Sequence, residues 1–135
     1  MANVSVSLRS VADTGAAMGW AGGHTVVVDR NVGKAGGTGL GFNGAQMLAL
    51  AIGGCLCNDL RYKAEQMGIV IVSIAVDVSL ELGGEPSRVT GCDLTVTVVP
   101  EDEGADIAGL ISQSEADSTI GQSVMSGFPV RVRAA

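Results

Sequence analysis

Met47-Leu48-Ala49-Leu50-Ala51-Ile52-Gly53-Gly54-Cys55-Leu56-Cys57 is the stretch that decides how this chain folds. Helix-start signals stand immediately before it. Asn43 can cap a first turn, Gln46 stands three residues on to complete a capping box, and Phe42 can pack on Met47 as a hydrophobic staple. A helix is therefore expected over Gly44–Met67, stopped by Gly68, with a length of roughly 36 Å. Its second half carries Asn58, Asp59, Arg61, Lys63, Glu65 and Gln66 with the apolar spacing of a surface helix. Its first half is apolar on every side, and such a segment must be covered on every side. One sheet covers one face of it. A second copy of the same helix is the economical cover for the rest, so a homodimer is expected. Gly53 and Gly54 agree with that: two mid-helix glycines cost about 2 kcal/mol against alanine unless they permit a close backbone approach.

The flanking sequence supplies strands. Val4, Val6 and Leu8 alternate with Ser5, Ser7 and Arg9, a period of two, and a second strand is expected over residues 24–30. Residues 31–41 form a glycine-rich loop. After the helix, Ile74, Val76, Val78, Leu80 and Leu82 alternate with polar or small residues, as do Cys92, Leu94, Val96 and Val98, and residues 83–87 join the two runs as a hairpin. The acidic run Glu101, Asp102, Glu103 leads a second helix through Ile107, Leu110 and Ile111. A helical turn over residues 118–125 and a last strand over residues 128–134 complete an α+β plan. With 135 residues, no internal repeat and no linker, one domain over residues 1–135 is expected.

Composition excludes several classes of function. The net charge of −6, without any cluster of Lys and Arg, argues against nucleic acid or an anionic membrane as partner. The longest apolar run falls well short of the roughly 20 residues that span a bilayer. The first residues carry no basic start or long apolar stretch of a signal peptide, and three cysteines is an odd number, so reduced thiols and a cytoplasmic location are expected. With a single histidine and no CxxC spacing, neither a metal nor another cofactor is expected.

Taken residue by residue, the chemistry-bearing side chains are few. Cys55 lies mid-helix in the apolar run, where cysteine commonly serves as a small hydrophobe, and a reactive thiol there needs a cation or a helix N-terminus beside it. Cys57 is roughly 200° further around the helix and cannot pair with it. Cys92 points with Leu94 and Val96 and reads as core. His24 opens a strand and reads as structural ahead of catalytic. The loop Gly36-Gly37-Thr38-Gly39-Leu40-Gly41 matches neither phosphate-binding glycine pattern and reads as a connector.

Taken together, Gly23-His24 with Asp29, Gly36-Gly37 with Gly39 to Gly41, the helix from Asn43 to Cys55, Leu60-Arg61 with Ala64-Glu65, and the ending Gly127-Phe128-Pro129-Val130 resemble the OsmC/Ohr family over nearly the whole chain. The resemblance implies an intertwined homodimer in which antiparallel sheets wrap around two long central helices. It implies active sites at the subunit interface, where a helix cysteine reduces organic hydroperoxides, a second cysteine resolves the sulfenic acid and a thiol reductant restores the pair. Cys55 falls on the attacking position. The pattern is broken in three places. Gly44-Ala45 stands where the family has Pro-Glu, leaving the uncharged Gln46 nearby. Ser118-Thr119-Ile120-Gly121 stands where the resolving cysteine opens a C-P-V-S motif. The third is at the N-terminus, where no arginine aligns with the family's thiolate-binding one and Arg9 is only a candidate. Two functions follow. One is a thiol peroxidase with Cys55 as nucleophile and an external thiol as resolver; the other is a catalytically degenerate protein that binds a small apolar ligand at the dimer interface. Gln46, Ser118 and Thr119 are the pocket candidates in either case. A purely structural role has no feature in its favour.

Overall fold

The computed structural model describes residues 2–135, which divide into two compact units, one ending at Leu48 and the other spanning residues 49–135. The elements in order are β1 (Ser7–Ser10), β2 (Ala17–Ala21), β3 (His24–Val28), α1 (Gly44–Met67), β4 (Ile71–Gly83), β5 (Arg88–Pro100), α2 (Ile107–Asp117) and α3 (Thr119–Ser126). The fold is mixed α+β with antiparallel sheets, as the sequence pattern implies. No helix among the described residues is long and apolar enough to cross a membrane.

The first unit is a three-stranded antiparallel sheet in the order β1-β2-β3. Its central strand, Ala-Met-Gly-Trp-Ala, carries no alternation and was not expected; pairing on both sides makes it, with Gly19 facing Leu8 on one edge and Val26 on the other. β1 is shorter than its alternation suggests. Its pairing begins at Ser7 opposite Trp20, and Val4 and Val6 lie exposed ahead of it. β3 stops at Val28 because Asp29 turns its carboxylate into the glycine-rich loop. Asp29 Oδ1 accepts from the Arg30 amide at 2.7 Å, and Oδ2 accepts from the Thr38 and Leu40 amides at 3.2 and 3.0 Å and from the Thr38 hydroxyl at 3.1 Å. The connector is thus wound around one buried anion. It returns beside β3, where the Phe42 amide donates to the Val27 carbonyl at 3.0 Å and a side chain at Gly41 would collide with that same carbonyl.

The hydrogen bonds from Leu40, Arg30 and Thr38, working against the cost of burial, hold the Asp29 carboxyl at about 2, below its ordinary 3.8. The folded-state value is the lower one. Asp29 therefore contributes stability that is complete above pH 3.8 and is lost as the pH falls toward 2. Asp29→Asn is expected to melt several degrees below wild type at pH 7, and the gap is expected to narrow between pH 4 and 2. Thermal unfolding of both proteins across that range checks this; a gap independent of pH would remove the linkage.

α1 begins with the expected capping box. The Gln46 backbone N–H donates to Asn43 Oδ1 at 2.9 Å, and the Asn43 backbone N–H donates to Gln46 Oε1 at 3.0 Å. The helix then runs into the second unit, where Leu56, Leu60 and Ala64 pack with Val98 of β5 and Leu110 of α2. Leu60 and Leu110 are fully buried. β4 and β5 form the expected hairpin, with Val78 opposite Leu94 and Leu80 opposite Cys92. The two helix glycines divide their work. A methyl at Gly53 would come within 2.7 Å of Val78 Cγ2, so this glycine lets α1 lie close on β4, whereas Gly54 is exposed with open space before it. Asp106 caps α2 by accepting from the Gly109 amide at 2.9 Å. Residues 128–134, expected as a strand, are irregular and exposed. They hold a strand's alternation, but among the described residues no strand runs alongside them to supply hydrogen bonds.

Candidate functional site

Cys55 sits half-buried on α1, one turn after Ile52, and two other polar groups of the second unit converge on its sulfur. Ser118 donates its hydroxyl to Cys55 Sγ at 3.6 Å across 63 residues of sequence. Cys55 Sγ in turn donates to Asp59 Oδ2, one helical turn on, at 3.4 Å. The thiol is thereby engaged as both acceptor and donor.

Ser118 reaches it because of where α2 ends. It is the residue between α2 and α3, closing the first by donating its amide to the Glu115 carbonyl at 3.2 Å and opening the second in extended backbone conformation. A serine opening a helix ordinarily accepts with its hydroxyl from an amide of the first turn. Here the side chain makes no such cap bond, and the hydroxyl serves the cysteine instead. One residue earlier, Asp117 Oδ2 pairs with Lys63 Nζ of α1 at 2.7 Å, tying this corner to the same helix that carries Cys55.

Ser118 also lines a cavity of about 350 Å³, and Cys55 reaches it through that serine without lining it itself. Ile52 and Leu56 of α1, Cys92, Leu94 and Val96 of β5, Ile111 of α2, and Val124 and Met125 of α3 give it a mostly aliphatic lining, with Ser118, Glu115 and Asp93 as its polar members. Cys92 reads as core from its alternation with Leu94 and Val96. It shares their face, and that face lines the cavity. Burial, with the Asp93 carboxylate next to it, pushes the Cys92 thiol above its ordinary value.

Of the residues singled out in the sequence, Cys55 and Ser118 are brought together, and Thr119 follows them, exposed, as the first residue of α3. Gln46 belongs to the first unit, where its amide is taken up by the capping box. Arg9 lies there too and donates to its neighbour, the Leu8 carbonyl, at 2.8 Å, and His24 is exposed at the start of β3. The residue that sequence reading passes over is Asp59. Its signal was the four-residue spacing from Cys55, which puts two side chains on one helix face. No group of three or more His, Cys, Asp or Glu among the described residues is arranged to hold a metal ion.

The chain is a mixed α+β protein whose long helix carries a hydrogen-bonded cysteine. The family model for OsmC-like protein matches residues 37–133, and the chain belongs to that family. The fold is similar to that of an OsmC-like protein of unknown function from Vibrio cholerae, with a TM-score of 0.80 and 12% identity over 91% of this chain and 94% of that one. It is similar to an OsmC-like protein from Mycoplasma pneumoniae, with a TM-score of 0.77 and 12% identity over 92% and 88%. It is also similar to an organic hydroperoxide resistance protein OsmC from Legionella pneumophila, with a TM-score of 0.69 and 13% identity over 92% and 90%. No curated protein sequence is significantly similar to the chain.

Proposed function

We propose that this protein reduces organic hydroperoxides through Cys55, with an external thiol in place of an internal resolver. The observation that carries the reading is the meeting of Cys55 at 3.6 Å with Ser118, which lines an aliphatic cavity. Family membership supports the reaction class, and the hydroperoxide resistance protein from Legionella pneumophila is among the folds this chain is similar to. The cavity has the size and lining for the organic part of such a substrate. Once Cys55 is oxidised to the sulfenic acid, a hydroxyl at Ser118 cannot form a disulfide with it, so a small thiol or a thiol-bearing partner completes the cycle.

The working form in this reading is a homodimer of single-domain subunits. Leu50, Ala51 and Gly54 are exposed on α1, on the side opposite Ile52, Leu56 and Leu60. Phe128, Val130 and Val132 are exposed with a strand's alternation. A second copy would cover the first set with its own helix and offer the second set a strand to join.

Cumene hydroperoxide and a dithiol test the chemistry. Wild type is expected to consume the peroxide catalytically and Cys55→Ser to fall to the uncatalysed rate, with sulfenic acid trapped at Cys55 in wild type alone. Equal rates for the two proteins would end the peroxidase reading.

A further inference from the structure

An ionised carboxylate has no hydrogen to give, so in the 3.4 Å contact between Cys55 Sγ and Asp59 Oδ2 the donor is the thiol. The Ser118 hydroxyl donates to the same sulfur and already carries its own proton. The two contacts are therefore unequal: one steadies the sulfur, and the other leads its proton onto a group able to hold it. Lys63, one turn further along the same face, directs its ammonium to Asp117 at 2.7 Å, and Asp59 enters no ion pair among the described residues. Glu115 of α2 with Cys92 and Asp93 of β5 line the cavity that Ser118 also lines, and neither Cys55 nor Asp59 is among its lining residues. Glu115, Cys92 and Asp93 make no hydrogen bond to the Cys55 sulfur.

We propose that Asp59 is the proton carrier of this site. The inference rests on the peroxidase reading and adds a named group to it. As the Cys55 sulfur attacks the terminal oxygen of the hydroperoxide, Asp59 accepts the thiol proton. The sulfur–oxygen bond forms and the oxygen–oxygen bond breaks; sulfur is oxidised by two electrons to the sulfenic acid, and the peroxide is reduced. The departing alkoxide takes the proton back from Asp59 and leaves as the alcohol. Thiol and hydroperoxide become sulfenic acid and alcohol, with no further reactant. A carboxylate one turn along the helix thus supplies general acid–base assistance at the reacting sulfur.

Asp59→Asn keeps the shape and an acceptor oxygen but cannot carry a proton. Two rates at Cys55 are measured at pH 7 in wild type and variant: oxidation by cumene hydroperoxide, followed as sulfenic acid, and alkylation by iodoacetamide. The second reaction expels iodide, which needs no proton. Oxidation, which loses both the acceptor of the thiol proton and the donor to the alkoxide, is expected to slow about a hundredfold in the variant, while alkylation, which loses only the acceptor, slows much less. Oxidation at the wild-type rate or faster would overturn the proposal. So would an equal fall in both rates, which would make Asp59 a residue that only positions the thiol. If wild type itself yields no more sulfenic acid than Cys55→Ser, the peroxidase reading fails and this inference falls with it.

Discussion

Ser118→Cys is expected to turn a protein that needs an outside thiol into one that closes its own disulfide after a single encounter with peroxide. The serine oxygen lies 3.6 Å from Cys55 Sγ. A sulfur in the same rotamer stands on a longer bond and points the same way, so the gap to a disulfide's length of about 2.05 Å is closed by small side-chain rotations. No backbone hydrogen bond depends on the hydroxyl, because Ser118 makes no side-chain cap. With one equivalent of cumene hydroperoxide, Cys55 is oxidised first, and the thiol introduced at position 118 displaces water from the sulfenic acid. The wild-type chain has three cysteines, all free. In the variant, two of the four would disappear from a thiol titration under denaturing conditions, and peptide mapping would join position 55 to 118. The bridge closes a loop across 63 residues, worth about 4 kcal/mol in the chain-entropy account. The oxidised variant should therefore melt well above the reduced one. Four free thiols after peroxide, or a bridge from position 118 to Cys57 or Cys92 instead, would mean that the Cys55–Ser118 approach is not the functional one.

What could be read from the amino acids alone, and what could not, follows from the range of the interactions involved. The bounds of α1 were legible because a capping box at Asn43 and Gln46 and a stop at Gly68 are local chemistry. The β4–β5 hairpin was legible because alternation over two long runs has one economical solution. β2 was not, since residues 17–21 have neither alternation nor branched side chains and become a strand only when flanked by two others. Residues 128–134 show the converse: a strand's pattern with no neighbour to pair. At the site, Cys55 and Ser118 were marked by a family pattern, but their contact joins residues 63 apart and needed the fold. Asp59 was within reach of helix geometry, yet a carboxylate on a polar helix half reads as solvation until its partner sulfur is seen. The cavity draws on three helices and a strand, and no local signal announces it. Gly53 and Gly54 read as one feature and prove to be two.

That division of the glycines gives the sharpest test of the assembly. In the isolated chain Gly54 meets nothing within 4 Å, so any side chain there is tolerated and should help. Alanine or leucine at an exposed mid-helix position gains close to 1 kcal/mol over glycine. If the exposed face of Leu50, Ala51 and Gly54 lies against its own copy, the sign reverses for a large side chain. Leucine at position 54 would wedge the two helices apart at a symmetric contact, so each subunit contributes the strain. Overpacking of about 1–3 kcal/mol per site, counted twice, amounts to about 2–6 kcal/mol. That weakens the dimer by at least about thirtyfold. Gly54→Leu is accordingly expected to sediment as a single chain at concentrations where wild type sediments as two, with the helical circular dichroism of wild type and with much reduced peroxide turnover. Gly54→Ala serves as the mild member of the pair and should remain associated. Gly54→Leu that stays dimeric and gains thermal stability would place the partner elsewhere, and α1 would then have to find its cover on another surface.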